Sequence, residues 1–154
     1  KLLIGGEGSD KERLQQLSRA YKLSNNVLFL GKIKEEELRD HYNLSDCFIL
    51  CSRDDWKAPD VEGFGIVFLE AAACGIPSIA GLAGGIEDVV ENGKTGWLVP
   101  PENSEVMAAI MEEVITNTEK TKLFGKQARE RFLTSFTWEC VAQKFLKEIL
   151  RVRD

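Results

Sequence analysis

Along most of this chain, short apolar runs alternate with stretches of helical spacing. LLIG, VLFLG, CFILC, SIA and WLVP read as strands. Between them, Leu14, Leu17 and Tyr21 recur at helical spacing, Glu35 to Leu44 suits a helix, Gly65 to Cys74 is an apolar helix stopped by Gly75 and Pro77, and GIEDVV reads as a shorter one. The connections are too long for hairpins, so the strands must run mainly parallel, with helices on both faces. The expected fold is α/β, a Rossmann-like sheet. Beyond Pro100-Pro101 the pattern becomes helical: Val106, Ile110 and Val114 mark one helix, Leu123 to Leu133 a second, and Val141, Phe145, Ile149 and Val152 line a third. At 154 residues the chain has the size of one domain, and residues 1–154 are expected to form it.

Sheets of this kind bind ligands at the carboxyl ends of their strands, where loops lead into helices. Two segments sit at such ends: GGEGSD after the first strand, and residues 52–65, SRDDWKAPDVEGFG, after CFILC. The second continues into EGFGIVFLE, residues 62–70. The first N–H groups of a helix opening near Gly65 have no partner within the helix and carry partial positive charge. Gly63 and Gly65 allow a sharp turn and a close approach of ligand to backbone. That is an anion site without a Lys or Arg. Glu70 falls in the second turn, and its side chain leans back toward the N-terminus, where a carboxylate can accept two hydrogen bonds from a vicinal diol. Glu62 lies across the turn. Phosphate between two hydroxyl-bearing groups describes a nucleotide sugar. The spacing of the two acids alone does not single this out, since Glu105 and Glu113 repeat it on an amphipathic helix.

Charge and cysteine spacing exclude other chemistries. A net charge of −5 argues against a nucleic-acid partner. Cys47, Cys51, Cys74 and Cys140 show no C-x-x-C spacing, and His41 is the sole imidazole, so no zinc site is expected. The four thiols are expected to be buried in a reducing cytoplasm. No apolar run approaches the ~20 residues that span a bilayer. The chain opens on Lys1 rather than Met, and is expected to be a piece of a longer protein.

EGFGIVFLEAAACGIPSIA, with GGEG, VLFLGKI, DCFILCSRDDW and GGIEDVVENGKTGWLVPP around it, resembles the retaining GT-B glycosyltransferases of group 1, also called family 4. The resemblance covers nearly the whole chain as the carboxyl-terminal, donor-binding half of that fold. It implies that Glu62 contacts hydroxyls of the donor sugar, as a positioning group rather than a nucleophile. Gly63, Phe64, Gly65 and Ile66 would offer backbone N–H groups to sugar and diphosphate, and Glu70 would hold the ribose hydroxyls. Gly6 and Gly8 would flank the diphosphate, and Lys32 and Ile33 would border the base. The donor would be a UDP-, GDP- or ADP-sugar. The family needs no metal or other cofactor, and Asp54-Asp55 is not the Asp-x-Asp of metal-dependent sugar transferases.

The family also places an Arg and a Lys on the diphosphate, just after a strand that should precede Lys1. That segment and the acceptor-binding domain are expected outside this chain; Arg53 and Lys57 are not assigned the role. The parent would be cytoplasmic, with room for peripheral membrane association. Two alternatives stay open: a nucleotide-sugar binding module without chemistry, and a sugar-nucleotide epimerase of similar architecture.

The remaining residues have plainer readings. GGEG lacks G-x-G-x-x-G spacing, and as an isolated signal is equally an ordinary turn. His41 reads as a surface or packing residue. Asp54, Asp55 and Asp60 read as a solvated loop, with lining of the sugar pocket as the alternative. Gly84-Gly85 is either a second anion-facing terminus or a plain turn. Trp56, Trp97 and Trp138 read as core or edge packing. The stripe from Val141 to Val152 reads as core unless it serves another domain.

Overall fold

A computed structural model describes residues 1–52 and 63–153. They divide into two compact units, Lys1–Asp40 and His41–Asp154.

In the first unit, strands β1 (Leu2–Gly5) and β2 (Val27–Gly31) pair in parallel, and helix α1 (Lys11–Ala20) connects them. The pairing matches Leu2 with Val27, Leu3 with Leu28 and Ile4 with Phe29, then slips to Gly5 with Gly31. Burial alternates in register: Leu2, Ile4, Val27 and Phe29 are half-buried, while Leu3, Leu28 and Leu30 stay exposed. The two strands thus present one half-buried face and one exposed face.

Helix α2 (Glu35–Asn43) begins in the first unit and ends in the second. The second unit holds a three-stranded parallel sheet in sequential order: β3 (Phe48–Leu50), β4 (Ser78–Gly81) and β5 (Gly96–Val99). Here both faces are covered, because successive side chains of a strand point opposite ways. Phe48, Ala80 and Leu98 face a core shared with Phe68, Ala83, Ile86, Val89 and Val90. Ile49, Ile79, Trp97 and Val99 face the other, with Val114, Phe124 and Met107. Helix α3 (Ile66–Ala73) supplies the first core, and α4 (Ser104–Thr116) and α5 (Thr118–Ser135) the second. All four residues of β4 are buried.

The helical segments end where the sequence says they should, with one difference, in GIEDVV. Gly75 closes α3 in a left-handed conformation (φ +76°), and its N–H and that of Ile76 bond back to Ala72 and Ala71. GIEDVV forms a single 3-10 turn, Ile86–Asp88, rather than a longer helix. Its three hydrophobic residues, Ile86, Val89 and Val90, fill the core together with the preceding Ala83, and packing rather than helical periodicity sets the path. Asn117 both ends α4 and caps α5, its side chain accepting from the Lys120 N–H at 3.1 Å, so the two helices meet without a loop.

The tryptophans diverge as well. Trp97 is core and donates its indole N–H to Glu113 Oε2 at 3.2 Å. Trp138 opens α6 (Trp138–Arg153) and is 86% exposed, so it packs into no core among the described residues. Val141, Phe145 and Ile149 on the same helix are also exposed, and the stripe they form is not core here. Trp56 lies outside the described residues. The cysteines are free and half-buried rather than fully buried.

Candidate functional site

Helix α3 begins on a cap of unusual conformation. Gly65 adopts φ +73°, ψ +54°, and a Cβ there would fall 2.6 Å from the Phe68 ring. Only glycine meets both conditions without strain. Gly65 has no side chain to bond the first N–H groups, and the Ile66 and Val67 amides lie ahead of the first i→i−4 bond. Elsewhere those amides are tended: Asn103 accepts from Val106 at the start of α4, and Asn117 from Lys120 at the start of α5. Each of the other five α-helices also carries a glutamate in its first turn, and α3 carries no acid there. Among the described residues, neither a capping side chain nor a first-turn acid compensates its positive end.

The segment leading into this end is held from two sides. The Gly63 carbonyl oxygen lies 2.8 Å from where a Cβ on Gly85 would stand, so the Gly84-Gly85 turn meets it backbone to backbone. The Phe64 ring lies against Phe136 at 6.1 Å between centroids, and the Arg131 guanidinium sits 5.3 Å over the Phe136 ring. Gly63, Phe64 and Ile66 are exposed and Gly65 is buried. Gly84-Gly85, read from sequence as an anion terminus or a turn, acts here as a turn that supports the Gly-Phe-Gly backbone.

Glu70 stands in the second turn of α3, half-buried, with its Oε2 accepting a hydrogen bond from the Tyr42 hydroxyl at 3.0 Å. Tyr42 is buried, and its ring packs edge-on against Phe48, which packs edge-on against Phe68. Burial raises the Tyr42 phenol above its ordinary pKa, and the Glu70 carboxylate adds to the rise. The phenol is therefore a donor throughout the neutral range. Sequence reading missed Tyr42; the signal was an aromatic four residues after Leu38, on the same face of α2.

A shallow gap lies behind α3, lined in part by Phe68, Ala72, Val90, Ala128, Arg131 and Phe136. It includes neither Glu70 nor the Gly63–Ile66 backbone, and is a packing gap between α3 and α5.

In the first unit, Gly6 follows β1 with φ +118°, its N–H bonded to the Gly31 carbonyl at 2.7 Å. A Cβ at Gly6 or Gly8 would meet nothing within 4 Å, so open space lies over this turn. Glu7 between them pairs with Lys11 at 2.9 Å. Lys32 is exposed, while the Ile33 side chain lies on Gly5, where a Cβ would come within 2.5 Å of it. Ile33 is thereby committed to packing on β1.

Thus Gly63, Phe64, Gly65, Ile66 and Glu70 come together on one end of α3, and Gly6, Gly8, Lys32 and Ile33 gather at the carboxyl ends of β1 and β2. Glu62, Arg53, Asp54, Asp55, Lys57 and Asp60 lie outside the described residues. Among the described residues, no three His, Cys, Asp or Glu side chains cluster to hold a metal. No helix there is long and apolar enough to cross a membrane.

Comparison with known proteins identifies the family and the fold. The model of the family "Glycosyl transferases group 1" matches residues 1–131. The chain is 35% identical over 153 residues to a GDP-mannose-dependent alpha-(1-6)-phosphatidylinositol monomannoside mannosyltransferase of Mycobacterium tuberculosis, covering 99% of this chain and 40% of that protein. It is 31% identical over 145 residues to an N-acetyl-alpha-D-glucosaminyl L-malate synthase of Bacillus anthracis, covering 94% and 36%. Among solved structures, HepE of Anabaena in complex with UDP-glucose superposes with a TM-score of 0.79 at 28% identity, over 97% of this chain and 40% of that one. The chain thus spans about two fifths of the length of these relatives.

Proposed function

Because the chain belongs to the group 1 glycosyl transferases, we propose that it is the donor-binding part of an enzyme that transfers a sugar from a nucleotide sugar to an acceptor, with retention at the anomeric carbon. The observation that carries this is the start of α3: a left-handed Gly65 presents uncapped amides with no acid in the first turn, and Glu70 stands one turn on. Those amides suit the diphosphate. Glu70 suits the ribose hydroxyls, and Gly63 and Phe64 offer backbone to the sugar.

In the proposed reaction, the acceptor oxygen bonds to the anomeric carbon on the face from which the diphosphate leaves. The leaving phosphate oxygen takes the acceptor proton. The protein's share is to hold the donor and to stabilise the charge growing on the diphosphate. Glu62 positions the donor sugar. We propose that no metal takes part, since the helix terminus supplies the positive potential directly; activity surviving a chelator would support this. The donor is a UDP-, GDP- or ADP-sugar. Relatives that use GDP-mannose by name and one solved with UDP-glucose favour the first two. Acceptor binding falls to the part of such enzymes that this chain does not span. Four free thiols fit a cytoplasmic setting.

Titration with UDP, GDP, ADP and their sugar conjugates tests the reading. One base should bind, and Glu70→Ala should weaken it ~10–100-fold, the equivalent of ~1.5–3 kcal/mol for hydrogen bonds to a charged group. Glu62→Gln should instead lower transfer by the full-length parent with little change in nucleotide affinity. Unchanged affinity in Glu70→Ala refutes the assignment.

A further inference from the structure

The geometry points to Tyr42 as a positioning residue for Glu70: its hydroxyl holds Oε2 and leaves Oε1 to meet the ribose diol. This rests on the reading of Glu70 given above and extends it to a residue 28 positions away. A glutamate on a helix has three rotatable bonds, and ordering them when a ligand arrives costs affinity. A bond from a fixed donor removes that cost beforehand. The Tyr42 hydroxyl is such a donor. Its residue is 8% exposed, and the ring stands edge-on to Phe48 at 5.5 Å and 72°. Phe48 in turn stands edge-on to Phe68 at 5.5 Å and 68°. Phe68 is the residue that occupies the space beneath Gly65. One chain of rings therefore fixes both the carboxylate and the helix terminus that the diphosphate would approach.

The chemistry of the pair agrees. A phenol donating to a carboxylate is a charge-assisted bond, and a buried phenol would otherwise lack a partner. Among the described residues, no donor reaches Oε1.

The test is titration of the full chain, as wild type, Tyr42→Phe, Glu70→Ala and the double variant. The probes are UDP, GDP and ADP, and the 2′-deoxy form of whichever one binds. Tyr42→Phe keeps the ring contacts and removes only the hydroxyl. It should raise the Kd of the ribonucleotide about 5-fold, the effect of one ordinary hydrogen bond, and move the deoxynucleotide by less than about 2-fold. In the Glu70→Ala background it should leave the ribose-to-deoxyribose ratio unchanged. Equal weakening of both nucleotides, or an unchanged ratio in Tyr42→Phe alone, overturns the positioning role while leaving Glu70 in place. Wild type that binds a nucleotide without discriminating ribose overturns the role of Glu70. Wild type that binds none of the three overturns the donor site itself.

Discussion

The Gly63 carbonyl oxygen and the α-carbon of Gly85 face each other so closely that a Cβ on Gly85 would stand 2.8 Å from that oxygen. Gly85 has φ −87°, a conformation open to any residue. Alanine at this position is therefore resisted by the contact alone, and a backbone carbonyl cannot swing aside as a long side chain does. Gly85→Ala should push the Gly63-Phe64 segment out of place, weakening nucleotide affinity ~10-fold for a modest fall in melting temperature. Calorimetric titration beside a thermal melt separates the two effects. Wild-type affinity in a folded Gly85→Ala protein would show that the contact has no bearing on the site.

Gly65→Ala acts differently, because conformation and space oppose it together. A left-handed alanine costs ~1–2 kcal/mol, and its Cβ would also strike the Phe68 ring, which is 1% exposed. A total loss of ~2–4 kcal/mol is expected once the displaced core ring is included. Urea denaturation measures it. A loss below ~1 kcal/mol would mean that the α3 terminus relaxes freely, contrary to its role as a rigid anion seat.

How far the site could be read from sequence depended on how local its causes were. The glycines at 63 and 65, the helix after them and Glu70 in its second turn follow from short-range rules of turn, cap and side-chain direction. The same rules placed the Gly75 stop and all five strands. Tyr42 could not be found that way: its bond to Glu70 joins the end of α2 to α3, and only the fold brings them together. Arg131 escaped for a similar reason, since its bond to the Asp88 carbonyl and its place over Phe136 arise from α5 crossing the 3-10 turn. Trp138 was misjudged because size and apolarity suggest packing, while exposure depends on what else is present.

Cysteine reactivity offers a check on the second core. Burial pushes the Cys47 thiol up to about 12 and raises Cys51 as well. The thiolate is the reactive form, so both should resist alkylation while the protein is folded. Treatment with iodoacetamide at pH 8, followed by peptide mass spectrometry, should leave Cys47 and Cys51 largely unmodified until denaturant is added. Rapid labelling of Cys47 in native protein would mean that the face of β3 carrying Ile49 is open.

Acid stability should depend on Glu91. Its carboxylate lies well placed for Lys94, at 2.7 Å, and for Arg131, which also donates to the Asp88 carbonyl at 2.7 Å. Lys94 foremost, then Arg131, holds the Glu91 pKa below the ordinary glutamate value. Lys120 foremost, with help from the Trp97 indole, does the same for Glu113. A carboxyl depressed in the folded state binds its proton more readily when unfolded. Its contribution is therefore present above the ordinary value, from about pH 5 upward, and is lost as pH falls through the lower folded value. Glu91→Gln and Glu113→Gln should each lower the melting temperature at pH 7 and flatten its decline between about pH 5 and 3. Glu91→Gln carries a further consequence, because Arg131 sits over Phe136 and Phe136 lies against Phe64. Loosening Arg131 should weaken nucleotide affinity a few-fold at pH 7, whereas Glu113→Gln, in the other core, should leave it unchanged. Melts of both variants across that pH range, paired with titrations at pH 7, check slope and affinity together; matching acid slopes in variant and wild type would remove these carboxylates as its cause.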